Sequence, residues 1–194
     1  NGGIINKFMK YFTKLDYPEY DLENALNNLI KNNLINWHHG QICINGVKED
    51  PSNQAIGCGS LYWDWDNSYY DENNKLVVPK RTTMYTEKDF TVFNPTFNGT
   101  EFEEMYNMLV QHHAVGRIRL MKSKLKTCLT WHTDDSTRIH YPIKTHEGCR
   151  MVIDDEVMHL PANTWWHTNT KKPHTAFNGS TDDRIHLVVC LLDE

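Results

Sequence analysis

Histidine and aspartate two positions apart, in His132-Thr-Asp134, are the residues of this chain best placed by type and spacing to hold a metal ion. On a β-strand, side chains at i and i+2 leave the same face, so an imidazole nitrogen and a carboxylate oxygen would enter one cavity together. Those are two of the three members of a 2-His-1-carboxylate set, which leaves three faces of an octahedral Fe(II) open to other ligands. A third ligand must come from elsewhere. His159, His167 and His186 compete for that place, but His174 is the best candidate, because it alone is followed ten residues later by an arginine, Arg184, opening an apolar run (Arg184-Ile-His-Leu-Val-Val). Each residue also has a plainer explanation. Asp134 could orient a buried His132, His174 could be a loop histidine after Lys171-Lys172-Pro173, Arg184 could pair with Asp182 or Asp183, and Arg138 could form a structural salt bridge.

These residues need a scaffold, and the hydrophobic pattern from Gly116 onward supplies one. Eight short β-type runs are expected there: 117–122, 126–133, 138–144, 148–153, 156–160, 164–168, 174–177 and 184–192. Eight short strands without intervening helices point to a jelly roll or barrel, not a parallel sheet. Helices are expected only earlier. Residues 21–33 place Leu22, Ala25, Leu26, Leu29 and Ile30 on one face, with Asp21 as N-cap. A second helix starts at Thr100, where Glu103 completes a capping box and Gly116 is a plausible stop. Between them, alternation over 61–66, a turn at 71–74 and an extended stretch over 75–79 predict a hairpin.

The fold class expected is therefore mainly β with flanking helices (α+β), a cupin-like double-stranded β-helix with N-terminal helices packed on one sheet. The 194 residues bound the chain to one domain: 1–116 as helices and hairpin, 117–192 as the β core. A net charge of -5, with no basic block, makes nucleic acid a poor partner, and no apolar run approaches the roughly 18 residues needed to span a bilayer. Five scattered cysteines without a CxxC pair favour reduced thiols, and the first residues carry no charged-then-apolar signal, so a cytoplasmic location is expected.

The order HxD, a distal histidine about 40 residues on and an arginine ten further resembles the Fe(II)/2-oxoglutarate-dependent oxygenases. Within residues 117–192, Arg138-Ile-His-Tyr-Pro-Ile, the Trp166…Asn169 segment and His174-Thr-Ala-Phe-Asn178…Arg184-Ile-His-Leu are similar to the aspartyl/asparaginyl β-hydroxylase-like branch, which includes free-proline hydroxylases. The resemblance implies Fe(II), 2-oxoglutarate and O2 as cofactor and cosubstrates, with hydroxylation of a prolyl, asparaginyl or aspartyl residue, in a protein or as a free amino acid. It implies His132, Asp134 and His174 as metal ligands, Arg184 on the far carboxylate of 2-oxoglutarate, and Arg138 near its C1 carboxylate or a second acidic group. His140 and His186 could hydrogen-bond the cosubstrate or simply be satisfied in the core, and Asn178 could orient a ligand from behind, although an Asn before Gly179 is first a turn residue. Some protein aspartyl β-hydroxylases carry glycine in place of the carboxylate ligand. This chain keeps Asp134, which points away from epidermal-growth-factor-like domains as substrates.

Trp165, Trp166 and the aromatic, acidic stretch Tyr62–Asp71 could supply an apolar slot that favours neutral or proline-containing substrates; the plainer reading of 62–71 is a hairpin with one wet face. Two other functions fit part of the pattern: a cupin-like metal enzyme that does not use 2-oxoglutarate, or a non-catalytic jelly-roll interaction or virion protein. Arg184 separates the first of these, since a site that takes no dicarboxylate needs no buried arginine to hold one.

Overall fold

The computed structural model describes residues 9–82 and 85–192. In chain order its elements are β1 (Phe12–Leu15), α1 (Leu22–Lys31), β2 (Gln41–Cys43), β3 (Asn45–Gly46), β4 (Tyr69–Tyr70), β5 (Leu76–Val77), β6 (Val92–Phe93), α2 (Glu101–His112), β7 (Val115–Ser123), β8 (Thr127–Cys128), β9 (Arg138–Lys144), β10 (Cys149–Ile153), β11 (Glu156–Met158), β12 (Trp165–Thr168), β13 (His174–Asn178) and β14 (Arg184–Leu191). They pack as two compact units. One contains the described residues up to Tyr20 with Lys122–Val188; the other contains Asp21–Met121 with the chain from Val189.

The first unit is a mainly β jelly roll, the double-stranded β-helix expected. One sheet runs β11-β10-β13-β8 and the other β1-β12-β9-β14, with the chain switching sheets as it passes from β8 to β9, β9 to β10, β11 to β12, β12 to β13 and β13 to β14. Phe12 of β1 meets Met151 and Ile153 of β10 in a buried cluster with Tyr11 and Leu160, which ties the two sheets together. Strand β1 was not legible in the sequence. It pairs with β12 (Leu15↔Trp165), and its approach is fixed by the buried Glu156 carboxylate, which accepts from the N–H groups of Lys10 (2.7 Å) and Tyr11 (2.9 Å). Seven of the eight expected strands form within a few residues of their anticipated bounds. The exception is 126–133, of which only Thr127–Cys128 is strand. Trp165 is core rather than a slot: it is buried, packs on Tyr141, and donates its indole N–H to the Pro18 carbonyl at 2.8 Å.

In the second unit α1 packs against α2. Asp21 accepts from the Asn24 N–H (3.2 Å), and Leu22, Ala25, Leu26 and Leu29 are buried, but Ile30 falls at the edge of the stripe and is exposed. Thr100 caps α2 through the Phe102 N–H, whereas Glu103 reaches past it to the Gly99 N–H (2.7 Å), so the reciprocal capping box does not close. Gly116 is not the helix stop. The helix ends at His112 with His113 already extended, and Gly116 lies in β7, where a Cβ would stand 2.9 Å from Glu87 Cβ and from Glu87 Oε2. The hairpin forms between β4 and β5 around Asp71, which accepts from the Asn73 and Lys75 N–H groups. Its first arm differs from the alternation: Asp64 accepts from Asn67 and winds Trp65–Asn67 into a 3₁₀ turn instead of a strand.

The close approach at Gly116 brings Glu87 onto Arg117. The guanidinium donates to both carboxylate oxygens (2.8–3.1 Å) and to the carbonyls of Gly57 (2.6 Å) and Gly59 (2.9 Å). Burial alone would raise the Glu87 carboxyl, but its hydrogen bonds and charge contact with Arg117 override that and hold it at about 2, below its ordinary 4.5. A depressed carboxylate stabilises the fold above its unfolded value and loses that contribution as pH falls through the folded value. Glu87 is a quarter exposed, so Glu87→Gln should cost about 2 kcal/mol near neutral pH, less than a fully buried pair would. Urea unfolding of both proteins should show the difference constant above about pH 5 and vanishing towards pH 2.

Candidate metal centre

His132, Asp134 and His174 come together in the jelly-roll unit, although not by the strand geometry expected. His132 is not on a strand but in an isolated antiparallel bridge with His174: its N–H donates to the His174 carbonyl (3.1 Å) and its carbonyl accepts from the His174 N–H (2.9 Å). This reciprocal pair sets the two rings side by side, with centroids 4.2 Å apart. Asp134 follows on a bend and is placed by its own N–H, which donates to the Thr170 carbonyl (2.9 Å). One ligand atom from each residue lies within 4.8 Å of the other two. Metal bonds of about 2.0–2.2 Å would draw such a set inward by small side-chain rotations.

Both rings are oriented by backbone carbonyls that sequence reasoning did not single out. Nδ1 of His132 lies 2.8 Å from the Thr130 carbonyl, and Nδ1 of His174 lies 3.0 Å from that of Lys172. A carbonyl can only accept, so Nδ1 carries the hydrogen in each ring and Nε2 keeps its lone pair for a metal, the usual arrangement of ligating histidines. Burial lowers the His174 pKa, which favours the neutral, ligating form. The carboxylate is held as well. Nε of Arg138 lies 3.4 Å from Asp134 Oδ2, and the same guanidinium donates to the Ser136 carbonyl (3.2 Å), the Ser136 hydroxyl and the Thr137 carbonyl (3.3 Å). Arg138 is thus engaged with the carboxylate of the triad and with the turn that follows it.

Arg184 faces inward. It is buried and donates from Nη2 to Nδ1 of His186 at 2.9 Å, while Asp182 pairs at the surface with Lys144 (2.9 Å). Burial pushes the arginine down to about 10. The His140 and His186 rings stand 5.7 Å apart; burial, then the charge of Arg184, holds both pKa values well below the usual histidine value. Both ring nitrogens of His140 and Nε2 of His186 are buried without a hydrogen-bond partner. A buried guanidinium beside unpaired imidazole nitrogens is the environment an anionic ligand with several oxygens would satisfy, so these residues fit a dicarboxylate such as 2-oxoglutarate.

Asn178 has no such freedom. Its Nδ2 donates to the carbonyls of Ser123 (3.0 Å) and Asp182 (2.7 Å), and its Oδ1 accepts from the Ser180 N–H, the Ser180 hydroxyl and Cys149 Sγ. A side chain with both ends saturated by the turn it builds has nothing left for a ligand, which corrects its expected part in cofactor binding.

A jelly roll carrying two Nε2-presenting histidines and a carboxylate defines a β-helix protein with a candidate metal centre. The particular family is shown by sequence: residues 64–193, well over half of the chain, match the model of the aspartyl/asparaginyl beta-hydroxylase family, and the chain belongs to that family. A curated relative, L-proline cis-4-hydroxylase of Rhizobium meliloti (strain 1021), is 28% identical over 126 residues, which cover 58% of this chain and 45% of that protein. The chain thus matches less than half the length of this relative. Similar solved structures include a cupin domain from Bordetella pertussis (10% identity, 39% of this chain and 80% of that one, TM-score 0.35) and a predicted oxalate decarboxylase from Thermotoga maritima (18% identity, 46% and 73%, TM-score 0.35).

If the triad holds a divalent metal, His132→Ala and His174→Ala should each weaken Mn(II) or Fe(II) binding by roughly 100-fold or more, measured by anaerobic calorimetry, while the far-ultraviolet circular dichroism is preserved. Unchanged affinity in either variant would remove that residue from the site.

Proposed function

We propose that this chain is an Fe(II)- and 2-oxoglutarate-dependent dioxygenase that hydroxylates an amino-acid residue, prolyl, asparaginyl or aspartyl, in a protein or as a free amino acid. The observation that carries this reading is the convergence of His132, Asp134 and His174 in the same unit as a buried arginine, Arg184, that faces unpaired imidazoles. Membership of a hydroxylase family and the proline hydroxylase relative support it. The whole chain is taken to work as one oxygenase domain in the cytoplasm, with no nucleic-acid partner. No helix among the described residues is long and apolar enough to cross a membrane.

Iron with bound 2-oxoglutarate and O2 supplies the power to convert a substrate C–H to C–OH, with succinate and CO2 as the other products. The chain's residues supply placement. His132 and His174 would offer Nε2 to the metal, each ring held by its Nδ1 hydrogen bond, and Asp134 would offer a carboxylate oxygen steadied by Arg138. Arg184, with its fork fixed by His186, would pair with the far carboxylate of 2-oxoglutarate, and burial of that pair keeps competing water out. Arg138 touches Asp134, so its part is to orient the carboxylate, and the second anionic contact expected of it is left to the imidazole donors.

Succinate release with Fe(II), 2-oxoglutarate and ascorbate, against a panel of free amino acids and peptides, tests this reading. Turnover should be higher on free L-proline or proline-containing and neutral peptides than on acidic epidermal-growth-factor-like peptides. Arg184→Lys keeps the charge but loses the fork, and should raise the KM for 2-oxoglutarate about tenfold with little change in metal affinity. Metal binding without 2-oxoglutarate-dependent succinate release on any substrate would leave a cupin-like metal enzyme that does not use 2-oxoglutarate.

A further inference from the structure

The second unit contains a feature that the oxygenase reading does not use. Cys43 closes strand β2 and is fully buried, Cys58 lies in a turn at 8% exposure, and their Sγ atoms are 3.9 Å apart. Both thiols are free, and the backbone brings them together: the Cys43 N–H donates to the Gln54 carbonyl (3.1 Å) and the Cys58 N–H to the Ala55 carbonyl (2.9 Å). Glycines flank Cys58 on both sides. Gly57 has φ +93 and a Cβ there would strike the Phe90 ring at 2.5 Å, so the turn is seated closely against its neighbours. Arg117 holds the carbonyls of Gly57 and Gly59, and Arg119 the carbonyl of Gly59 (3.3 Å), which places two guanidinium groups around the thiol pair.

We propose that Cys43 and Cys58 form a modification site, a dithiol that a hydroperoxide oxidises reversibly to an intramolecular disulfide. The distance to be closed is small, since a disulfide bond is about 2.05 Å long and the sulfurs stand 3.9 Å apart. Cys58 is the more exposed residue of the two. The hydrogen bond from Cys43 and the positive charges of Arg119 and Arg117 also draw its pKa below the usual thiol value. Its thiolate attacks hydrogen peroxide, the O–O bond breaks, and the departing hydroxide takes up the thiol proton as water, leaving a sulfenic acid at Cys58. Cys43 sulfur then attacks that sulfur, the S–O bond breaks, and the hydroxyl leaves as a second water with the Cys43 proton. Two thiols are oxidised, one peroxide is reduced to two waters, and a thiol reductant reverses the change. The bond would close the chain between residues 43 and 58 and pin the Gly57–Gly59 turn to β2.

The native protein, treated with stoichiometric hydrogen peroxide and then counted for free thiols after unfolding, should fall from five to three. Peptide mapping should find one linked pair joining the Cys43 and Cys58 peptides. The thermal midpoint should rise by roughly 5 °C and return with dithiothreitol. Cys58→Ser, at the more exposed member, should keep its four remaining thiols under the same treatment. Five thiols persisting in the treated native protein, a linkage through exposed Cys128, or loss of two thiols in Cys58→Ser would each overturn the proposal. If Cys58→Ser does not fold, the linked-peptide map of the unaltered chain decides the matter.

Discussion

The reciprocal pair of backbone hydrogen bonds between His132 and His174 is the contact on which the candidate metal centre depends. It is a minimal piece of sheet, one bridge long, yet it brings two residues distant in the chain face to face and aligns their side chains. Its rigidity comes from β13, which is held on one side by β10 (Ile153↔His174) and on the other by β8. Between β8 and the bridge the chain stays attached: the Leu129 N–H donates to the Ala176 carbonyl, and the Leu129 carbonyl accepts from the Thr175 hydroxyl (2.6 Å). His132 itself is exposed, so its position is set by backbone pairing and by the Thr130 carbonyl, with little help from packing. An exposed His132 on one side and a buried His174 on the other would suit a centre that admits a substrate and keeps a dry interior.

Two buried arginines show how the same residue type is put to different uses. Arg117 is paired: one carboxylate takes its Nε and Nη2 and two carbonyls take its Nη1, so its charge is neutralised within the fold. Arg184 is equally buried but is given a neutral imidazole where Arg117 has Glu87. A charge out of water with no counter-ion is costly, and a protein that keeps one in such surroundings gains from an anion that arrives from outside. The unpaired nitrogens of His140 and His186 sharpen the contrast, because a purely structural cluster would be expected to satisfy them internally. This difference in pairing supports reading Arg117 as architecture and Arg184 as a binding residue.

The positions of Asp134 and Arg138 show a second economy of design. Four residues apart, they form an ion pair in which the arginine also closes the Ser136–Thr137 turn, so one side chain both shapes the loop and steadies the carboxylate of the triad.

What the sequence determined by itself was the kind of fold and the residues with chemical potential. Hydrophobic alternation between turn residues is a local property, so seven strands and both helices could be placed from it, and the HxD…H…R order marked the three triad members and Arg184. Tertiary structure decided what depends on pairing across the chain. The run around 126–133 has strand-like residues, but β13 offers it a partner only at β8 and at the single bridge, so His132 and Asp134 meet through loop geometry and not through strand alternation. Strand β1 has no strong pattern of its own and exists because Glu156 and β12 receive it. Trp165 and Asn178 had functional alternatives on paper. Burial against Tyr141 settled the first and a saturated turn the second, because whether a side chain is free to meet a ligand depends on which of its neighbours have already taken its contacts.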